Sequence, residues 1–275
     1  MKYITVIAIL SVLAVAGCTS ISNSQGLSVT LQADPSTVFS KSGTILHIDV
    51  DNRDQKTLNN VRVELFDTGL LQFIDPLHQS SKCLKSFPRL LPYEFQSLAC
   101  SLYAPQISEA SVQTEVNSRV SFDSDFSATH VFEVMNENEY QRRLASGSYE
   151  ARPRSYAYGD RNVMINVEFS ENPPMVIRPG KKYFVYFTIT NAGSGFVNDI
   201  KPDDFSVQND NILDTQNCLP KTVLSPSGRQ FPRIACEVIP QPEFLRGRDF
   251  RSTDFLINLK YTYELRNSLG ISVIR

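Results

Sequence analysis

Ile45-Leu46-His47-Ile48-Asp49-Val50 is the stretch that decides the fold of this chain. Every second residue from Leu46 to Val50 is apolar, which places these side chains on one face of an extended strand. The polar cluster 51–55 follows as a turn, and 61–65 then alternates in the same way. The pattern predicts a strand-turn-strand unit with one face against a core.

A second unit of the same kind occurs 139 residues later, where the apolar run 183–190 ends at Asn191 as the first run ends at Asn52. Further matches occur in the same order, some at this offset and some with a few residues of slippage. They pair Val120 with Leu259, Phe122 with Tyr261, Phe132 with Ile271, Val134 with Val273, Ala99-Cys100 with Ala235-Cys236, and Phe87-Pro88-Arg89 with Phe231-Pro232-Arg233. This many matches in one order predicts a tandem repeat.

Each repeat has about 110 residues and roughly seven short strand patterns, as an antiparallel β-sandwich requires. The strand-Asn-turn-strand units at 48–65 and 188–200 resemble the immunoglobulin-like repeats of archaeal and bacterial surface proteins, the group that includes the CARDB-like families. The expected fold is all-β: two tandem immunoglobulin-like antiparallel β-sandwiches, at 27–135 and 160–275, joined by a short helix-containing linker at 136–159. The Cys…Trp…Cys framework of antibody domains is absent, since the chain has no tryptophan.

Within the linker, Asn136 with Glu139 three residues later predicts a helix N-terminus, and Gly147 can end the segment. We expect a short helix at about 136–145. A Tyr- and Arg-rich strip follows, and its candidate partner-binding residues are Tyr149, Arg152, Arg154, Tyr156 and Tyr158. Tyr and Arg dominate contact hot spots. The same strip is open to two other interpretations, a nucleic-acid contact and a linker that packs between the two sandwiches.

The N-terminus carries an export signal. An apolar run from Tyr3 to Ala16 follows Met1-Lys2 and is shorter than the roughly 20 residues of a membrane helix. The segment Leu13–Cys18 resembles the lipobox of prokaryotic lipoproteins. That resemblance implies a signal peptide at 1–17, a diacylglyceryl group on Cys18, and a polar tether up to residue 26. It places the protein at the cell membrane, lipid-anchored and facing the extracytoplasmic side. Plain secretion and an uncleaved membrane helix remain the alternatives.

Four cysteines remain besides Cys18, at positions 83, 100, 218 and 236. An exported chain meets oxidising conditions, which favours disulfides. Four cysteines allow three connectivities, and the repeat favours the local pairs Cys83–Cys100 and Cys218–Cys236. A zinc site is disfavoured, because no C-x-x-C occurs and the three histidines are scattered.

Composition and motifs exclude several classes of function. The net charge of −2 predicts no general affinity for nucleic acid. No catalytic or phosphate-binding motif is present, and no cofactor is expected. His47 shares the solvent side of its strand with Asp49 and Asp51, where a general base is conceivable but an ordinary polar face is favoured. Asp49, Asp51 and Asp54 are weak calcium candidates, as is the pair 203–204, although such clusters are usually solvated turns.

These observations lead to one favoured function and two alternatives. The favoured one is a non-enzymatic, membrane-anchored surface lipoprotein that binds or displays a protein or glycan partner outside the membrane. The second is a structural or accessory subunit of an envelope assembly, such as a pilus, secretion or surface-layer complex. An enzyme of unrecognised type is the third.

Overall fold

The computed structural model describes residues 26–74, 83–209, 218–240 and 242–275. Strands dominate these residues, and one α-helix, α1, occurs among them. The elements of the first half are β1 (Leu27–Asp34), β2 (Thr37–Phe39), β3 (Gly43–Asn52), β4 (Leu58–Asp67), β5 (Gln72–Phe73), β6 (Leu84–Leu90), β7 (Phe95–Tyr103), β8 (Ser111–Asn136) and α1 (Glu137–Ala145). Those of the second half are β9 (Ser155–Gly159), β10 (Val163–Phe169), β11 (Met175–Ile177), β12 (Tyr183–Asn191), β13 (Phe196–Val197), β14 (Phe205–Gln208), β15 (Ile234–Val238) and β16 (Phe250–Ile274). The fold is an all-β sandwich, which confirms the expected fold class.

The strands of the described residues form three sheets. A first-half sheet has the order β1-β3-β7-β5, and a second-half sheet has the order β15-β12-β10-β9. The third, the long sheet, has the order β13-β16-β8-β4-β6, with β11 added to β8 and with β14 and β2 added to β16.

Two strands run the length of the molecule. β8 has 26 residues and β16 has 25, and they pair antiparallel in unbroken register from Met135↔Phe250 to Ser111↔Ile274. At about 3.4 Å per residue this ribbon is about 85 Å long. Even-numbered residues of β8 and odd-numbered residues of β16 are the buried ones along most of its length. Both smaller sheets therefore cover the same face of the ribbon, and their side chains join it in one buried cluster.

The two halves are related by a pseudo-twofold axis at the centre of the ribbon. Asp123 lies opposite Thr262, and the β8–β16 pairing extends over the same number of residues on either side of this pair. The smaller sheets follow the same rule. Leu27 pairs with Asn52 in the first-half sheet, as Val163 pairs with Asn191 in the second-half sheet.

The ribbon also shows how the halves are connected. β8 begins beside β4 of the first half and ends beside β11 of the second, while β16 runs in the reverse sense from β14 to β2. Each half is therefore completed by a strand segment from the other. The division into two separate domains at 27–135 and 160–275 stays a prediction.

One of the sequence matches between the repeats is not a structural equivalence. Phe87 of β6 lies opposite Val61 in the long sheet, whereas the amide of Phe231 donates to Ile189 of the second-half sheet. The match between Ala99-Cys100 and Ala235-Cys236, in contrast, is a structural equivalence. Leu46 pairs with Cys100 in the first half as Val185 pairs with Cys236 in the second.

The helix α1 begins where its capping signal predicts. The Asn136 side chain accepts a hydrogen bond from the amide of Glu139 at 2.7 Å, which satisfies one of the free amides of the first turn. The amide of Asn136 itself donates to the carbonyl of Asp249, so the helix start is tied to the start of β16. The Glu139 carboxylate turns instead to Arg142 and Arg143.

Candidate interaction surfaces

The outer face of the ribbon carries a polar groove at the pseudo-twofold axis. This central groove has a volume of about 640 Å³. Its floor is formed by the outward residues of the two long strands, and its sides by the start of β4 and by the segment 199–204. Its charged and amide side chains are Asn59, Asn60, Asp123, Asp125, Asp199, Lys201, Asp204, Asn258 and Lys260. Four carboxylates against two ammonium groups give it net negative charge.

Hydrogen bonds hold the floor of the central groove in place. Thr262 Oγ1 donates to Asp123 Oδ1 at 2.7 Å, and Asn60 Nδ2 donates to the other oxygen of this carboxylate at 2.8 Å. Asn60 has a φ of +51° at a break in the β4–β8 register. A bulge of this kind redirects a side chain, here towards the groove.

Asp125 and Lys260 stand directly opposite each other on the floor of the groove, and both are exposed. Ser127 Oγ donates to Asn258 Oδ1 at 2.7 Å one step further along the ladder. The groove therefore presents fixed hydrogen-bonding groups beside two exposed anions, Asp125 and Asp199, and two exposed cations, Lys201 and Lys260. Such a surface suits a partner with many hydrogen-bonding groups.

A charged aromatic patch continues the outer face beyond the groove. Arg119 and Arg266 lie opposite each other in the ribbon, where like charges are unfavourable. Each arginine forms an ion pair that offsets this repulsion, Arg119 with Glu64 at 2.9 Å and Arg266 with Glu264 at 2.6 Å. The guanidinium groups also lie over exposed rings, Arg119 over Phe66 and Arg266 over Phe196.

A smaller cavity of about 340 Å³ lies at the seam between the two small sheets. Asp54 and Arg161 approach to 3.4 Å across it. On its second-half side the Tyr261 hydroxyl donates to Asp160 at 2.6 Å. Burial and this carboxylate raise the pKa of Tyr261, so the phenol stays protonated. The Asp54–Arg161 ion pair thus joins the two halves across the seam.

The Tyr/Arg strip is divided by the structure. Tyr156 and Tyr158 lie on β9 and turn half-buried towards the core, where they contact His130. Tyr149 packs edge-on against Tyr140 of α1 at 5.1 Å.

The two arginines of the strip pair with nearby carboxylates. Arg154 reaches Glu168 at 3.2 Å, and Arg152 lies 3.8 Å from Glu150. The five residues thus do not share one exposed face.

Sequence reasoning missed a buried histidine. His130 is 3% exposed, and its Nδ1 lies 2.6 Å from the Tyr158 hydroxyl. Its Nε2 has no hydrogen-bond partner among the described residues. Rings of Tyr156 at 4.2 Å and Phe169 at 5.2 Å surround it. Burial lowers the pKa of His130 to about 4, so the ring is neutral at pH 7. The sequence does carry a signal for this burial. His130 lies at the same alternate positions of β8 as the buried Phe126 and Phe132, which marks its side chain as inward-facing.

The acidic candidates of the first half lie where alternation places them. His47, Asp49 and Asp51 share the solvent side of β3. Asp49 accepts from Ser97 Oγ at 2.6 Å, and Asp51 pairs with Arg53 at 2.7 Å.

The calcium candidates therefore face separate partners, with Asp54 turned to the seam. In the second half, Asp204 accepts from the amide of Lys201. Within the described ranges, no cluster of three or more His, Cys, Asp or Glu side chains is placed to hold a metal ion.

The cysteine pairs agree with the favoured connectivity. Cys83 and Cys100 lie at disulfide distance with Cα atoms 5.8 Å apart, and Cys218 and Cys236 do so with Cα atoms 4.6 Å apart. Cys18 and residues 1–17, which are predicted to be a signal peptide, lie outside the described residues. Among the residues that are described, none of the helices has the length and apolar character to span a membrane.

No family model matches the chain, and no curated protein matches its sequence. Two solved structures, a wild-type and a variant form of BuGH86 in complex with neoagarooctaose, align with 88% of this chain at 7% identity. The alignment spans 34% of each of those chains at a TM-score of 0.12, which is too low to carry an argument.

Proposed function

We propose that the protein is a non-enzymatic lipoprotein, anchored through Cys18 at the outer face of a membrane, that binds a protein or glycan partner in the central groove. The observation that carries the proposal is the groove itself. It lies at the pseudo-twofold axis and combines side chains fixed by hydrogen bonds with an exposed Asp125 and Lys260. Carboxylates, amides and hydroxyls bind the polar groups of such partners through direct and water-mediated hydrogen bonds.

Anchoring and partner binding can be tested in the same cells. The mass of the N-terminal peptide from the membrane fraction reports acylation of Cys18. Mild cross-linking of intact cells, followed by pull-down, reports the partner.

The groove is tested by Asp125→Ala and Lys260→Ala, with Glu115→Ala as a matched control on the same outer face of β8. We expect at least a tenfold loss of cross-linked partner for the two groove variants and less than a twofold change for the control. Equal recovery from all three would exclude the groove as the binding site. Circular dichroism of each variant checks that it is folded.

A second function, an accessory subunit of an envelope assembly, is favoured by the charged aromatic patch. Phe66 and Phe196 are 45% and 50% exposed beneath arginine side chains. Arginine and aromatic residues are enriched in protein–protein contacts. Recovery of one dominant multiprotein complex, lost in Phe66→Ser with Phe196→Ser, would support assembly over the binding of separate partners.

A further inference from the structure

The loop between β6 and β7 presents three large apolar side chains to solvent. Leu91, Tyr93 and Phe95 are 47%, 69% and 58% exposed, and they alternate with Pro92 and Glu94. An exposed cluster of this kind marks a contact with a partner or a membrane.

The loop is held rigidly by Asn52, which is fully buried. Its side-chain amide donates to the carbonyls of Leu90 at 3.2 Å and Leu91 at 2.9 Å, and its own carbonyl accepts from the amide of Tyr93 at 2.7 Å. The apolar side chains thus project from an ordered turn.

Glu94 closes the turn from the other side. Its carboxylate accepts from the amide of Leu91 at 2.7 Å and from Gln96 Nε2 at 2.8 Å. These two hydrogen bonds lower the pKa of Glu94. The backbone of Tyr93 has a φ of +60°, an unfavourable conformation for a tyrosine that the surrounding hydrogen bonds maintain.

The position of Gly26 connects this loop with the N-terminal segment. The carbonyl of Gly26 accepts from the amide of Arg53 at 2.7 Å, while the carbonyl of the preceding Asn52 accepts from Tyr93. Gly26 and Tyr93 are therefore both hydrogen-bonded to the backbone of the dipeptide Asn52-Arg53. Seven residues separate Cys18 from Gly26. Even fully extended, the eight steps from Cys18 to Gly26 span no more than about 29 Å.

We propose that Leu91, Tyr93 and Phe95 insert into the headgroup region of the lipid bilayer beside the acylated Cys18. The inference rests on the proposed lipid anchor, because a chain tethered this closely keeps the loop at the membrane surface. Tyrosine is enriched at the membrane–water interface, and phenylalanine and leucine supply apolar area there.

The absence of tryptophan allows a direct test. Tyr93→Trp introduces a single fluorescent reporter at the loop. The control is Phe39→Trp, since Phe39 is 61% exposed and lies on β2 of the long sheet, beside the end of β16 and next to the start of β3. The ten residues of β3 separate the two positions by about 30 Å.

Both variants of the acylated full-length protein are reconstituted in vesicles of phosphatidylethanolamine and phosphatidylglycerol at a 3:1 ratio, with brominated acyl chains. We expect the fluorescence of Tyr93→Trp to be quenched at least threefold more than that of Phe39→Trp. Equal quenching at both positions in protein that carries the acyl group would overturn the loop proposal and leave the anchor intact.

The mass of the N-terminal peptide separates the two proposals. Quenching at 93 without an acyl group on Cys18 would support the loop contact and overturn the anchor. Shielding of the Tyr93→Trp reporter in a vesicle-free dimer, seen by sedimentation, would assign the loop to a second copy of the chain and overturn the membrane contact. Retained circular dichroism confirms that both variants fold.

Discussion

Thr262 Oγ1 donates a hydrogen bond to Asp123 Oδ1 at 2.7 Å, and this pair marks the centre about which the two halves of the molecule are related. The two residues stand opposite each other in the middle of the β8–β16 ribbon. They also lie on the floor of the central groove. The symmetry of the fold and the candidate binding surface therefore coincide.

Removal of this hydrogen bond lowers stability modestly. We expect Thr262→Val to reduce the free energy of unfolding by about 1 kcal/mol, since the neighbouring carboxylate keeps its bond from Asn60. Urea unfolding followed by circular dichroism measures the change. Thr129→Val, at an exposed position on the same outer face, should stay within about 0.5 kcal/mol of wild type. A Thr262→Val variant as stable as this control would contradict the contribution assigned to the bond.

The shared ribbon predicts that both halves unfold together. Phe255 of β16 is fully buried and contacts Phe132 of β8 at a ring distance of 4.5 Å. We expect Phe255→Ala to destabilise the protein by about 3–5 kcal/mol. Hydrogen exchange in denaturant should show β3 and β12 losing protection in one transition.

Loss of β12 protection well before that of β3 would instead support two separately folding domains. Val131→Ala is a suitable control, because Val131 is 64% exposed on β8. Its exchange pattern should match that of wild type.

His130 makes stability depend on pH in the acid range. The pKa of His130 is about 4 in the folded protein and 6.5 in its ordinary state. Between pH 4 and pH 6.5 the unfolded chain therefore carries a proton on this ring that the folded protein does not. The stabilisation is complete above about pH 6.5 and is lost as the pH falls towards 4. The free energy of unfolding that is lost over this pH range is at most about 3 kcal/mol.

This dependence is measured by urea unfolding at pH 7.5, 5.5 and 4.5. His130→Asn should reduce the loss of stability between the first and last of these values. Val131→Ala, at a 64% exposed position beside it on β8, should keep the wild-type dependence. Parallel curves for wild type and His130→Asn would refute the role of the buried ring.

The two disulfides stabilise the folded state by restricting the unfolded chain. We expect Cys83→Ser with Cys100→Ser to cost about 3 kcal/mol, because the bridge closes a loop of 17 residues. Peptide mapping without reduction should recover 83 joined to 100 and 218 joined to 236. A disulfide that joins Cys83 or Cys100 to Cys218 or Cys236 would contradict the structure, which places the two pairs in opposite halves.

Local patterns in the sequence predict the elements well. Alternation at 45–50 gives β3 with its inward and outward faces, and the Asn136 signal gives α1 to within a residue. The local cysteine pairs also agree with the observed distances. These features depend on near neighbours in the chain, so their physical causes are visible in the sequence.

The candidate surfaces were less predictable. Alternation marks Asp123 and Asp125 as outward-facing, but only the pairing with β16 brings Asn258 and Lys260 beside them. The strip around Tyr156 leaves a partner contact, a nucleic-acid contact and a packed linker open in the sequence, and only the pairing of β9 with β10 shows that its tyrosines turn inward. Edge pairing of this kind depends on residues distant in the sequence.

The sequence alone determined that the chain is built from strands with one apolar face, repeated at an offset of 139, with a capped helix between the repeats. The tertiary structure decided that β8 and β16 join along their whole lengths and that each half is completed by the other. The reason is physical. A period of two residues specifies which face of a strand is buried, but it carries no information about which strand supplies the hydrogen bonds at its edge.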